Sequence, residues 1–138
     1  MREQWDATYK LLIGHGFSKK AILEGTGSAA GEAYAWAIEN PDKVGCIYGE
    51  NPVLRSLMSK NPPADNLAPL AKADVPLLHV CGSLDPWLKD QTRVVEKRYQ
   101  ELGGRITVIV REGEGHFLLP TKDWGSIVDF ILSQGLSK

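Results

Sequence analysis

The stretch AILEGTGSAAGEAYAWAIENP, residues 21–41, decides how the rest of the chain is read. Its first part, AILEG, is a short, mostly apolar run with the length of a buried strand rather than a helix. Small residues follow without a spacer: Gly25, Gly27, Ser28, Ala29, Ala30 and Gly31. From residue 29 to 39 the composition turns to Ala and Glu, with Ala30, Tyr34 and Ala37 on one stripe at helical spacing. Pro41 stops that helix, because the residue before a proline disfavours helical backbone. The stretch therefore predicts a strand that turns at once into a helix.

Outward from this unit the same alternation continues. Residues 4–13 read as a helix, with Trp5, Tyr9, Leu12 and Ile13 near helical spacing, broken by Gly14, Gly16 and Ser18. VGCIYG, VPLLHVCG and ITVIV read as three further strands. KDQTRVVEKRYQELGG is a helix with Val95, Tyr99 and Leu102 on one face and glycines suited to its C-terminal cap. DWGSIVDFILSQGL is the last helix, with Ile127, Phe130 and Ile131 towards the core. Residues 51–75 carry Pro52, Pro62, Pro63 and Pro69 and read as loop, with a short helix near 53–59 as the one regular element expected there. Alternating helices and near-continuous apolar strands predict an α/β fold: a four-stranded parallel sheet with flanking helices. At 138 residues the chain is expected to form a single domain, 1–138.

Composition narrows the function classes. A formal net charge of -1 offers no basic surface for nucleic acid. No apolar run approaches the roughly 18 residues that span a bilayer, so no membrane partner is expected. The N-terminal MREQWDATYK lacks the apolar core of a signal peptide, and a cytoplasmic location is the expectation. Cys46 and Cys81 lie in apolar strand-like runs without a CxxC or zinc-ligand spacing, which predicts buried reduced thiols. His15, His79 and His116 are scattered, so neither a metal nor another cofactor is expected.

In parallel sheets, sites gather in the loops after the carboxyl ends of the strands. The first such loop is GTGSAAG. A nucleophile elbow needs a sharp strand-to-helix turn with small neighbours, and the helix behind it offers free N–H groups to an anion. Two registers fit. With Gly27 at the apex there is no side-chain nucleophile. With Ser28 at the apex the turn has slid by one residue. A third reading is a plain turn with Ser28 capping the helix. The loop CGSLDPWL carries Asp85, which before Pro86 is also ordinary turn chemistry. The loop REGEGHFLLP carries His116 behind two glycines. The chain order is elbow, Asp, His. That is the order of a Ser-His-Asp triad on one class of parallel sheet, in which a carboxylate orients the histidine that deprotonates a hydroxyl.

The segments LEGTGSAAGEAYAWAIENPDKVGCIYGENPV, PLAKADVPLLHVCGSLDPWL and KRYQELGGRITVIVREGEGHF resemble the C-terminal half of α/β-hydrolase-fold esterases, and the resemblance covers nearly the whole chain. It implies that Asp85 is the triad acid and His116 the triad base. Counting back from Pro41, it sets Gly27 at the nucleophile position. Ser28 and Ala29 follow it in the elbow, where the family draws on the backbone N–H after the nucleophile for its oxyanion hole. The family's strands before the elbow, and the loop that supplies the second oxyanion donor, have no counterpart ahead of Ala21. His15 in IGHGF lies between a helix and the elbow strand and does not substitute for that loop. The stretch 51–66 is also short where the family carries a lid.

The resemblance thus implies a half sheet whose first strand, Ala21–Gly25, is an edge with unpaired N–H and C=O groups. Association of two copies, a homodimer that covers this edge, is expected to complete it. The expected activity is hydrolysis of activated small-molecule esters, carboxyl esters or phosphotriesters. His116 and Asp85 would act with Ser28 as nucleophile or with water activated directly. The alternative is a catalytically degenerate fragment that serves as a binding or structural domain, and Gly27 favours it. A metal site built from His116, Asp85 and groups of a second chain is a further option that no ligand spacing supports.

Overall fold

The computed structural model describes residues 1–56, 58–117, 120 and 124–136. Helix α1 (Arg2–Gly14) leads into strand β1 (Ala21–Thr26), and α2 (Ser28–Glu39) follows after a single intervening residue. Next come β2 (Val44–Glu50), the short helix α3 (Ala68–Lys72), β3 (Leu77–Gly82), α4 (Thr92–Glu101), β4 (Ile106–Arg111) and α5 (Gly125–Phe130). A π-helical turn, Ile131–Gly135, extends α5. The four strands pair in chain order, β1-β2-β3-β4, and every pair is parallel. The predicted four-stranded parallel sheet with flanking helices is the fold observed.

The register explains which residues face which layer. Leu23, Ile47, Leu77 and Ile106 are successive partners across the sheet. They belong to one core with α2, α3 and α4, built on Ala30, Ala33, Tyr34, Leu70, Val95 and Tyr99. The next row, Glu24, Tyr48, Leu78 and Thr107, points the other way. Its central members pack with Cys46, Val80, Ile127 and Phe130 of the second core. α2 can lie close to the sheet because Gly25 has no side chain: a Cβ there would come 2.6 Å from the Cα of Ala30. α1 docks on α2 through aromatic contact, with the Trp5 and Tyr9 rings 6.0 and 5.7 Å from that of Trp36. The Trp36 indole N–H donates to Asp6 at 3.0 Å.

β2 is buried along almost its whole length and β3 throughout, whereas β1 alternates, with Ile22, Glu24 and Thr26 exposed. β1 is a sheet edge: among the described residues its only strand partner is β2. An apolar groove of about 390 Å³ runs beside it, lined by Trp5, Tyr9, Leu12, Ile22, Leu23 and Trp36 among others.

Two local readings differ from the structure. No helix forms among the described residues of 53–59, of which Leu57 lies outside the description. The backbone N–H groups of Leu54 and Arg55 instead donate to the side-chain oxygen of buried Gln91, at 2.9 and 2.8 Å. Conversely, α3 forms inside the stretch read as loop. Pro69 sits in its first turn, where a missing N–H costs nothing, and Leu70 is buried. The last helix begins at Gly125, and Asp123 of the expected span lies outside the described residues. Cys46 and Cys81 are free and buried.

Beneath the sheet, His79 is wholly buried between the Tyr34 hydroxyl (2.8 Å) and the Thr92 hydroxyl (3.0 Å). Burial disfavours its charged form and lowers its pKa from the ordinary 6.5 to about 3. The folded state therefore binds fewer protons than the unfolded chain between these values, and stability falls as pH drops through that window. His79→Gln is expected to lose this component. Urea melts of the two proteins between pH 7 and pH 4 should diverge by up to about 1.4 kcal/mol per pH unit below 6.5.

Candidate functional site

Three strand ends converge on one spot. After β1 the chain turns at Gly27, whose φ of 56° and ψ of -125° lie where side chains are strained. Both of its backbone groups are engaged. The N–H donates to Glu50 O at 2.9 Å, and the carbonyl accepts from Val53 N at 2.9 Å. Gly27 is thus the apex of the turn and the N-cap of α2, and no side chain caps that helix. Ser28 is the first residue of α2 and is exposed. Among the described residues its hydroxyl makes no hydrogen bond to His116. Ala29 follows, exposed, in the first turn. The first N–H groups of a helix have no partner within it, so those of Ser28 and Ala29 are open to an anion over the turn.

Asp85 and His116 meet over this apex. His116 Nδ1 lies 3.0 Å from Asp85 Oδ1. The Asp85 side chain is 2% exposed and the His116 side chain 27%. Asp85 Oδ1 also accepts from the backbone N–H of Trp87 at 3.1 Å, which fixes the carboxylate from the turn that follows it. An ionised carboxylate only accepts, so Nδ1 carries the proton and Nε2 is left with a lone pair. Nε2 is directed at the elbow: an ideal Cβ at Gly27 would stand 3.6 Å from it. Among the described residues Nε2 has no hydrogen-bond partner. The structure thus brings Gly27, Asp85 and His116 together, with Ser28 beside them at the start of α2.

Asn51, which the sequence reading passed over, holds the arrangement. It follows β2 with a φ of 40°, a left-handed conformation that asparagine tolerates better than most residues. Its buried amide donates to the carbonyls of Gly115 (3.2 Å) and His116 (2.6 Å) and accepts from Gly82 N–H (3.0 Å). One side chain therefore joins the end of β2, the end of β3 and the histidine loop. Gly82 lets that loop approach, since a Cβ there would lie 2.2 Å from Glu114 O. The Leu84 N–H donates to the same carbonyl at 2.9 Å. The signal available in the sequence was an asparagine at a strand end beside Pro52, which also fits ordinary turn chemistry.

Among the described residues, no three His, Cys, Asp or Glu side chains gather as a metal would require. None of them forms a helix long and apolar enough to cross a membrane. The groove along β1 shares no residue with the Asp85–His116 pair.

No protein-family model matches the chain, and no curated protein sequence does. Solved structures do. An uncharacterized protein from Bacillus cereus superposes with a TM-score of 0.75 at 14% identity, over 98% of this chain and 42% of its own. A candidate dienelactone hydrolase from Klebsiella pneumoniae gives 0.76 at 15% identity, over 99% of this chain and 60% of its own. A monoacylglycerol lipase from Paleococcus ferrophilus gives 0.64 at 16% identity, over 96% and 74%. The fold is that of the α/β hydrolases. The chain spans about half the length of the first two proteins it matches.

Replacing Asn51 by Asp keeps the size and removes both donations, leaving a carboxylate against two carbonyls. The expected loss is about 2–3 kcal/mol of unfolding free energy, read from urea denaturation at neutral pH.

Proposed function

We propose that the chain corresponds to the C-terminal half of the α/β-hydrolase fold, with Gly27 in the nucleophile's place, and that it hydrolyses activated esters with His116 as general base. The observation that carries this reading is the Asp85–His116 hydrogen bond, with Nε2, unpartnered among the described residues, directed at the turn. A histidine kept only as filler would not need a buried carboxylate on its far nitrogen.

Water takes the part of the missing hydroxyl. His116 Nε2 accepts a proton from water, and the hydroxide oxygen adds to the ester carbonyl. The resulting oxyanion faces the first N–H groups of α2. Its collapse breaks the bond to the leaving group, which takes the proton back from His116. Asp85 keeps the ring in the right tautomer and stabilises its charged form. An oxyanion donor is worth about 2.7–4 kcal/mol in barrier, and activated esters, with good leaving groups, demand least of the site. Ser28 remains the alternative nucleophile, and an unchanged rate in Ser28→Ala removes it from the mechanism. The exposed β1 edge supports pairing of two copies near Ala21–Gly25; a monomer by light scattering at micromolar concentration counts against this.

A second reading, a domain that binds without catalysis, is favoured by Gly27 itself. Para-nitrophenyl acetate separates the two. The expected result is turnover that falls about 100-fold in His116→Ala. Equal rates in both proteins would leave the binding domain. Gly27→Ser tests the correspondence to the elbow: fluorophosphonate should label this variant at residue 27 and leave the parent chain unlabelled.

A further inference from the structure

We propose that two copies of this chain pair through β1 as antiparallel strands in one register, with Ile22 on the two-fold axis and Lys20 of each copy opposite Glu24 of the other. This inference rests on the pairing of two copies stated above and supplies its register. A two-fold axis normal to the sheet relates two equal edges as antiparallel strands and keeps like faces together.

The backbone decides which residues meet. The Gly27 N–H donates to Glu50 O on β2, and backbone groups alternate in direction along a strand. Those of Ile22, Glu24 and Thr26 therefore point out of the sheet. Charge then selects among the registers. An axis at Glu24 would set two carboxylates opposite one another. An axis at Leu23 would set each Glu24 against Ile22. An axis at Ile22 sets apolar against apolar, and on either side of it Lys20 against Glu24, which is the one arrangement with opposite charges facing.

Neither charge is used within its own chain. Among the described residues, the Lys20 ammonium and the Glu24 carboxylate make no hydrogen bond or ion pair. Four residues along a strand separate them by about 13 Å. Glu24 is exposed, and its register partner Tyr48 donates to Glu50, so a second carboxylate lies on the same face of the sheet. A cation brought by the second copy meets acidic surface there. The groove of about 390 Å³ beside β1 fits the same partner. Ala21 and Leu23 line it with Trp5, Tyr9 and Leu12. Because the axis keeps like faces together, the two grooves adjoin and their apolar walls leave water together.

Sedimentation equilibrium reads the dimer constant of the parent chain, of Lys20→Glu, of Glu24→Lys and of the double variant, each checked for folding by its thermal melt. Each single reversal turns two attractive pairs per dimer into two repulsive ones and should weaken association about tenfold. The double variant restores both pairs and should return to within about threefold of the parent. Cross-linking reads the axis directly. In a Cys46→Ala background, which removes the thiol beside residue 22 in the sheet, Ile22→Cys should form a covalent dimer under mild oxidation. Residues bonded across an antiparallel pair have Cα atoms about 5.5 Å apart, within disulfide reach. Glu24→Cys in the same background should stay uncross-linked, its two copies lying about 13 Å apart along the strands. A dimer that neither reversal weakens, or that cross-links through Glu24→Cys and not through Ile22→Cys, would overturn this register and leave the pairing of copies intact. A folded double variant as weak as the single ones would overturn the register as well. A parent chain that stays monomeric at micromolar concentration would overturn both.

Discussion

The amide of Asn51 stands where three chain segments must meet. It donates to two carbonyls of the histidine loop and accepts from the N–H that ends β3. Asn51 itself is buried, and a buried polar group left unpaired costs more than a formed hydrogen bond returns. The loop after β4 is held over the end of β3 by this amide together with the Leu84 N–H on Glu114 O and the Gly113 N–H on the Ser83 hydroxyl. The amide's bond is made to the backbone carbonyl of His116 itself. The Asp85–His116 contact is steadied from both sides, since Asp85 is fixed by its own turn and the backbone of the histidine by this bridge.

The same economy shapes the elbow. Strand-to-helix turns this tight require the helix to begin almost on the sheet, and Gly25 supplies the room. The unusual backbone at Gly27 persists although a glycine could adopt many others. The hydrogen bonds to Glu50 and Val53 select it. Geometry that would strain a serine is therefore retained where strain has no side chain to act on. This is why the site can be proposed as functional with an external nucleophile: what the fold preserves is the direction of approach to His116, not the attacking atom.

Much of the fold was legible because burial writes itself into period and composition. The apolar runs at 44–49 and 75–82 are long enough to be strands and too continuous to be half-exposed, and both proved central. Ala30, Tyr34 and Ala37 marked the face of α2 correctly, and all three are fully buried. The failures were local. α3 was hidden by prolines, since Pro69 in a first turn looks the same in sequence as Pro69 in a loop. The expected helix at 53–59 lost to Gln91, a residue some 36 positions away that satisfies the backbone there. Tertiary hydrogen bonding of that kind leaves no periodic trace.

For the site, the sequence determined the chemistry on offer: an acid and an imidazole, each after a strand, and an elbow rich in small residues. Chain order along a parallel sheet dictates that such loops share one edge, so their proximity was also readable. The turn residues alone left the choice between Gly27 and Ser28 at the apex open, although the count back from Pro41 pointed to Gly27. Both registers have small flanks, and they differ only in which peptide the end of β2 and the loop after it hold. That was settled by two hydrogen bonds across the sheet, which place Gly27 at the turn and Ser28 inside the helix. Asn51 was equally silent, because one amide bridging three loops has a meaning only once the loops have met.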